Sequence, residues 1–253
     1  REVYDKSSLL GHAYQPRQGM ATTDNKTYLR NWHEISYNNM CLNASSSSDG
    51  NSINKNWFPY NKGGNFRKWY GNNEFVINYT NDGLDLLEMV QAKYPKISDP
   101  EFVIKNRNFY FKPSITWSFI SSSYFGVRLC TKGFIFDVAG SSLFPSEEDK
   151  FLIASLLTSK VATYYLNCLN PTLNFQVENV SAIPLHENIY LKHACISQNG
   201  EKCTKFARQD WDSYEASWGF TQNPIIRTKQ QNLEQAFNTW QQQNADAVAE
   251  MKR

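Results

Sequence analysis

The stretch FVIKNRNFYFKPSITWSFISSSYFGVRLCTKGFIFDV, Phe102–Val138, is built from short runs of β-branched and aromatic residues. Such side chains fit a pleated, half-buried surface, and the Gly, Pro, Asn and Ser between the runs supply turns. The runs predict strands at Phe102–Ile104, Asn108–Phe111, Ile115–Phe119, Phe125–Leu129 and Phe134–Val138, with another upstream at Phe75–Tyr79. Helical patterns interrupt them. Asn81 or Asp82 can cap a helix over Leu84–Lys93 whose Leu84, Leu87, Met89 and Val90 face inward. Ser146, three residues before Asp149, opens a longer apolar helix from Glu147 to about Leu166, and a third runs from about Asn188 to Phe206. Strands and helices without regular βαβ alternation predict an α+β fold of mixed, twisted, short-stranded sheets with helices.

Outward from this core the pattern changes twice. Residues 43–56, NASSSSDGNSINKN, hold almost no apolar side chain, which predicts a mobile loop inserted within a domain. From Ile226 the apolar positions Ile226, Leu233, Phe237, Trp240, Ala247 and Met251 follow a 4/3 spacing with Asn244 in the seam. That pattern fits a coiled-coil stripe or an amphipathic helix packed on its own domain. The chain starts on Arg1 rather than Met and stops at Arg253 inside this helical pattern, so it reads as a piece of a longer polypeptide.

At 253 residues and 41% hydrophobic content the chain can bury a substantial core, and 15% aromatic content excludes wholesale disorder. No apolar run approaches the length of a membrane-spanning helix. Five cysteines without a CxxC pair suit reduced thiols better than a disulfide framework. The net charge of +2 hides an asymmetry: residues 1–132 carry sixteen Lys/Arg against eleven Asp/Glu, residues 133–253 ten against thirteen. An anionic partner would meet the first part.

Nucleotide-binding signatures, GxGxxG and GxxxxGK[ST], are absent. His186, His193, Cys195 and Cys203 cluster in sequence with no zinc-module spacing. Asp137 closing a strand, followed by Glu148 and Lys150, resembles the carboxylate and lysine set of Mg²⁺-dependent nucleases, although there Glu-x-Lys lies on a strand. Basic and aromatic residues interleave in WFPYNKGGNFRKWY, Trp57–Tyr70, where Lys62, Arg67 and Lys68 could contact phosphate and the rings could stack on bases. Hydroxyls follow in KPSITWSFISSS, Lys112–Ser123. Unaided, these features fit a binder of polar ligands, nucleic acid or carbohydrate.

Five segments in order resemble one family. PRQGMATTDNKTYLR (Pro16–Arg30), WFPYNKGGNFRKWYGNNEFVIN (Trp57–Asn78), KPSITWSFISSSYFGVR (Lys112–Arg128), KGFIFDVAGSSLF (Lys132–Phe144) and LNPTLNFQVENVSAIPL (Leu169–Leu185) are similar to the target-recognition region of PglX-type adenine-specific DNA methyltransferases. These belong to BREX phage-defence systems and are related to type IIG restriction-modification enzymes. DWDSYEASWGFTQNPII (Asp210–Ile226) resembles the same family's spacer. The resemblance implies a DNA target-recognition domain over 1–185 and a helical spacer over 186–253, cut at 253. It implies a bacterial cytoplasmic parent that uses S-adenosylmethionine, in a domain preceding this region. The partners implied are double-stranded DNA, the parent's own methyltransferase domain, other BREX proteins and a phage-encoded inhibitor. Asn170-Pro171-Thr172 is the nearest approach to the family's catalytic (N/D)PPY and lacks its second proline and aromatic, so no catalytic residue is expected here. The phosphate contacts implied are Arg17, Lys26, Arg30, Lys62, Arg67, Lys68, Lys112 and Lys132, with Arg128, Ser121, Ser122 and Ser123 nearer the bases.

Overall fold

The computed structural model describes residues 4, 6–51, 55–121 and 124–252. Among the described residues, strands β1 (Ser8–Leu9), β2 (Leu29–Asn31), β3 (Trp57–Asn61), β4 (Phe75–Asn78), β5 (Ser114–Trp117), β6 (Val127–Cys130), β7 (Ile135–Phe136), β8 (Ser142–Leu143) and β9 (Pro184–Leu185) make three small sheets. One runs β2-β4-β3-β7, with β3 and β7 parallel and its other pairs antiparallel. The second is antiparallel, β6-β5-β8, and β1 pairs with β9. Pro59 lies within β3 opposite Val76 of β4, one residue before pairing with β7 begins at Tyr60. A residue without an N–H is tolerated where no ladder bond is needed from it. The fold is α+β, as the composition of its elements predicts.

Helices are α1 (Leu10–Tyr14), α2 (Asn25–Tyr28), α3 (Ser47–Asn51), α4 (Leu84–Lys93), α5 (Lys150–Thr158), α6 (Lys160–Leu169), α7 (Val177–Ser181), α8 (His193–Trp211), α9 (Pro224–Arg227) and α10 (Leu233–Met251). Among the described residues two apolar cores result. The first joins Ile115, Trp117 and Val127 of the three-stranded sheet to Ile153, Leu157, Ala162 and Leu166 of α5 and α6. The second joins Phe58, Tyr60, Ile77, Ile135 and Phe136 of the four-stranded sheet to Leu86, Val90 and the Ile104–Phe111 segment.

Several sequence expectations change. Phe102–Ile104 and Asn108–Phe111 are not strands: 3₁₀ turns occupy Pro100–Phe102 and Arg107–Phe109. Asp99 caps the first turn, accepting the Glu101 N–H at 2.9 Å, and Asn106 turns the chain at a φ of 57° before the second. The apolar side chains there still enter the second core, so strand-like composition records burial. The helix expected from Glu147 to about Leu166 is two helices. Ser159 adopts an extended backbone and its hydroxyl accepts the Ala162 N–H at 3.2 Å, starting α6 as α5 ends. In α4 the buried residues are Leu86 and Val90, whereas Leu84 is 53% exposed. Neither Asn81 nor Asp82 caps α4. Both have left-handed backbones, Gly83 at φ 75° precedes the helix, and Asp82 pairs with Arg107 at 2.6 Å.

The third helix is also displaced, beginning as a 3₁₀ turn over Glu187–Lys192 and continuing as α8 to Trp211. The 43–56 segment carries local structure in its described part. Ala44 is buried, α3 forms, and the Ser47 hydroxyl donates to Asp82 at 3.0 Å; residues 52–54 lie outside the described residues. Polar composition missed this because the packing falls on Ala44 and Gly50, whose missing side chain lets Phe58 close in. In the tail, Ala236 is the buried position of α10, while Leu233 and Phe237 are exposed. A cross-helix pair, Lys202 of α8 with Glu250 of α10 at 3.5 Å, accompanies its packing on α8.

Candidate nucleic-acid interface

The segment Pro16–Met20 stitches the two sheets together. Arg17 and Ser142 exchange backbone bonds, Arg17 N–H to Ser142 at 2.7 Å and the return at 2.9 Å. Met20 then donates to Phe136 and accepts from Val138, each at 3.0 Å. Gly19 makes this path possible, because a β-carbon there would fall on the Phe136 carbonyl. Pro16 lies close to Gln176–Glu178 of the Leu169–Leu185 segment, across an open cleft of about 490 Å³. Its other lining residues are Arg17, Gln18, Lys105, Asn106 and Phe119.

The basic and aromatic loop after β3 is a structural knot. Lys62 pairs with Asp137 at 2.9 Å and donates to Asn25 at 3.2 Å. The same Asp137 accepts the Tyr60 hydroxyl at 2.7 Å, the Thr22 hydroxyl at 3.3 Å and the Ala139 N–H at 2.7 Å. Burial, then the adjacent Asp137 charge, pushes the Tyr60 phenol far above its ordinary value, so it donates at all physiological pH. Arg67 pairs with Asp210 at 2.9 Å and stacks over Trp211 at 4.8 Å. Arg208 lies over Tyr70 at 5.4 Å, so the end of α8 is held against this loop. Lys68 donates to the Thr158 carbonyl at 3.0 Å, and burial pushes its ammonium down. The aromatics of this stretch divide: Phe58 and Tyr60 are fully buried, while Phe66 is 39% exposed.

Arg128 is 2% exposed and lies within β6, where its guanidinium donates to the Ser118 hydroxyl at 3.3 Å. Burial pushes it down to about 10, still well above neutral, so it stays charged. Instead of facing a surface, as expected of a group near bases, it lies inside the protein beside Cys130, whose thiol burial pushes up to about 11. Ser121 is half-buried, its backbone N–H donating to Leu173 at 3.1 Å and its hydroxyl to Tyr124 at 3.2 Å. Ser122 and Ser123 lie outside the described residues.

Arg17, Lys26, Arg30, Lys112 and Lys132 differ from the knot. Among the described residues none of them makes an ion pair within 4 Å, and the same holds for Lys105. Arg30 donates to the carbonyls of Lys26 and Leu29, and Lys112 lies over Phe109 at 5.1 Å. Sequence reasoning missed Lys105 and Asn106 because they follow a run assigned to a strand. It also missed the β5–β6 hairpin tip, where Ile120 is 62% and Tyr124 67% exposed, with Leu173 beside them at 57%. Exposed apolar groups there carry no sequence signal that separates them from core.

The nuclease-like trio is not presented as a carboxylate cluster. Asp137 is engaged as described, Lys150 pairs with Glu147 at 2.6 Å, and Glu148 is exposed on the turn before α5. Among the described residues no group of three or more His, Cys, Asp or Glu could hold a metal ion. His186 instead accepts the Asn188 N–H at 3.1 Å, and His193 meets Asp149 at 3.2 Å. No described helix is long and apolar enough to cross a membrane.

No family model matches the chain. It is 34% identical to the adenine-specific methyltransferase PglX of Lacticaseibacillus casei (strain Zhang), over 97% of this chain and 20% of that protein. It is also 34% identical to the adenine-specific methyltransferase BrxX of Escherichia coli O9:H4 (strain HS), over 80% of this chain and 15% of that protein. The chain is homologous to PglX and BrxX. It spans no more than a fifth of the length of these relatives. A looser likeness, with TM-score 0.47 and 12% identity over 93% of this chain and 34% of the other, is to the type IIL restriction-modification enzyme MmeI in complex with DNA. Homology to PglX covers both the Pro16–Met20 stitch and the loop locked by Asp137.

Proposed function

We propose that this region recognises the double-stranded DNA target of an S-adenosylmethionine-dependent adenine-N6 methyltransferase of the PglX and BrxX kind. Residues 1–185 would form the recognition domain and residues 186–253 a helical spacer. The observation that carries the reading is homology to adenine-specific methyltransferases along nearly the whole chain, in a stretch without their (N/D)PPY motif. Methyl transfer and the cofactor then belong to the rest of the protein, and choice of DNA sequence is the task left for this part. The unpaired cations Arg17, Lys26, Arg30, Lys112 and Lys132 suit phosphate contacts, and the exposed Ile120 and Tyr124 suit entry into a groove. Lys62, Arg67 and Lys68 act on DNA only indirectly, by holding the loop that supports the tip. The parent's methyltransferase domain is the partner this arrangement requires; other BREX proteins and a phage inhibitor are candidate visitors to the same surface.

The test is made in the full-length enzyme. Replacing Lys26, Arg30, Lys112 and Lys132 by Gln, singly, should lower the salt slope of duplex binding by about one unit wherever the side chain neutralises a phosphate. Site preference should not change. Unaltered slopes in all four variants, with methylation intact, would remove the proposed DNA surface.

A further inference from the structure

The cleft at the seam of the two cores has a lining that asks for an anion. Arg17 and Lys105 are two of its residues, and Arg17 and Lys112 both approach Phe109, at 5.4 and 5.1 Å. Among the described residues none of the three has a carboxylate within 4 Å. The Nε of Arg17 is buried without a hydrogen-bond partner, although its Nη2 reaches Gln15 at 2.6 Å. Lys105 spends one donor on the Gln18 side chain at 3.2 Å. Gln18, Asn106 and Gln176 add amides, and Glu178 on the exposed first turn of α7 supplies the one acidic side chain of the lining among the described residues.

Arg17 and Lys105 in one lining repel each other, and an anion between them would relieve that repulsion. We infer that this cleft seats a length of DNA sugar-phosphate backbone, held by Arg17 and Lys105. The inference deepens the DNA-recognition reading and rests on it. The chain path favours a polymer over a free small anion. The cleft is open to solvent, whereas sites for small ligands bury most of the ligand. Phe119 in its wall leads directly into Ile120 and the exposed tip, so a strand lying in the cleft would bring a groove to Ile120 and Tyr124.

Two substitutions of opposite sign test it in the full-length methyltransferase, with a duplex carrying the enzyme's own methylation site, titrated across salt concentrations. Lys105→Gln and Arg17→Gln should each weaken binding and lower the salt slope by about one unit, and Lys105→Arg should restore it. Glu178→Gln removes a repulsion and should tighten binding. Because Glu178 is exposed, that variant keeps the test sound even if an Arg17 variant unfolds. Unchanged slopes for Lys105→Gln and an unchanged or weaker affinity for Glu178→Gln would overturn the cleft, and lowered slopes for Lys26→Gln or Lys132→Gln would then leave DNA recognition standing elsewhere. If no cation variant in either set mattered, the DNA reading itself would fail. Tight binding of inorganic phosphate or adenosine monophosphate, abolished in Lys105→Gln while duplex binding persists, would make the cleft a small-anion site and overturn the inference.

Discussion

Asp137 shows how much one side chain organises. It closes β7, caps the turn over Val138–Gly140 and collects Tyr60, Lys62 and Thr22 around one carboxylate. Removing the charge leaves a phenol and an ammonium short of an acceptor, so Asp137→Asn should destabilise the chain by about 2–3 kcal/mol in urea unfolding. Lys62→Met should cost less, since the Lys62 side chain keeps 26% exposure and water replaces part of the pair. Cys130 makes a second residue-scale case. Its thiol has an ordinary value of 9.0 and is held up at about 11 by burial, so the folded state keeps a proton that the unfolded state releases. Its contribution is complete below about pH 9 and is lost as pH rises towards 11, about 3 kcal/mol in all. Cys130→Ala should therefore flatten the fall of stability between pH 9 and 11, and an unchanged fall would refute this. Sequence could mark Asp137 as chemically notable but suggested a metal site. Only the fold reveals that Lys62, 75 residues away, neutralises it. For Arg128, likewise, residue type pointed outward to bases, while its place on β6 puts it inside.

At the scale of elements, what could be read depended on local signals. β4, β5, β6 and β7 fall where β-branched and aromatic runs predicted strands, because those residues both prefer extended backbone and face a core. The same composition misled at Phe102–Ile104 and Asn108–Phe111, where Asp99, Pro100 and Asn106 impose turns while the apolar groups still reach the core. The break between α5 and α6 rests on one hydroxyl within an apolar pattern that reads as continuous. Ser159→Ala should cost about 1 kcal/mol in unfolding free energy, through loss of the cap to Ala162. A stability equal to wild type would mean that packing of Ala162 and Leu166 alone sets the start of α6. The pairing of β1 with β9, and the stitch at Pro16–Met20, join residues distant in sequence through backbone bonds, which no local pattern encodes.

For the molecule as a whole, charge asymmetry between residues 1–132 and 133–253 pointed to the part that carries Arg17, Lys105 and Lys112, but not to which of its cations lack an ion pair. Ion pairing separates them: the knot around Asp137 and Asp210 absorbs Lys62 and Arg67, while Arg17 and Lys105 remain in one cleft and Lys112 shares the Phe109 ring with Arg17. The proposed recognition of a DNA sequence by this region would make specificity portable with it. The most direct measurement exchanges these 253 residues with the 34%-identical stretch of the Lacticaseibacillus casei relative in the full-length proteins, followed by sequencing of methylated adenines in cells carrying each hybrid. The account predicts that each hybrid methylates the sequence of the protein that donated this region. Active hybrids that keep the sequence of the protein donating the remainder would contradict it.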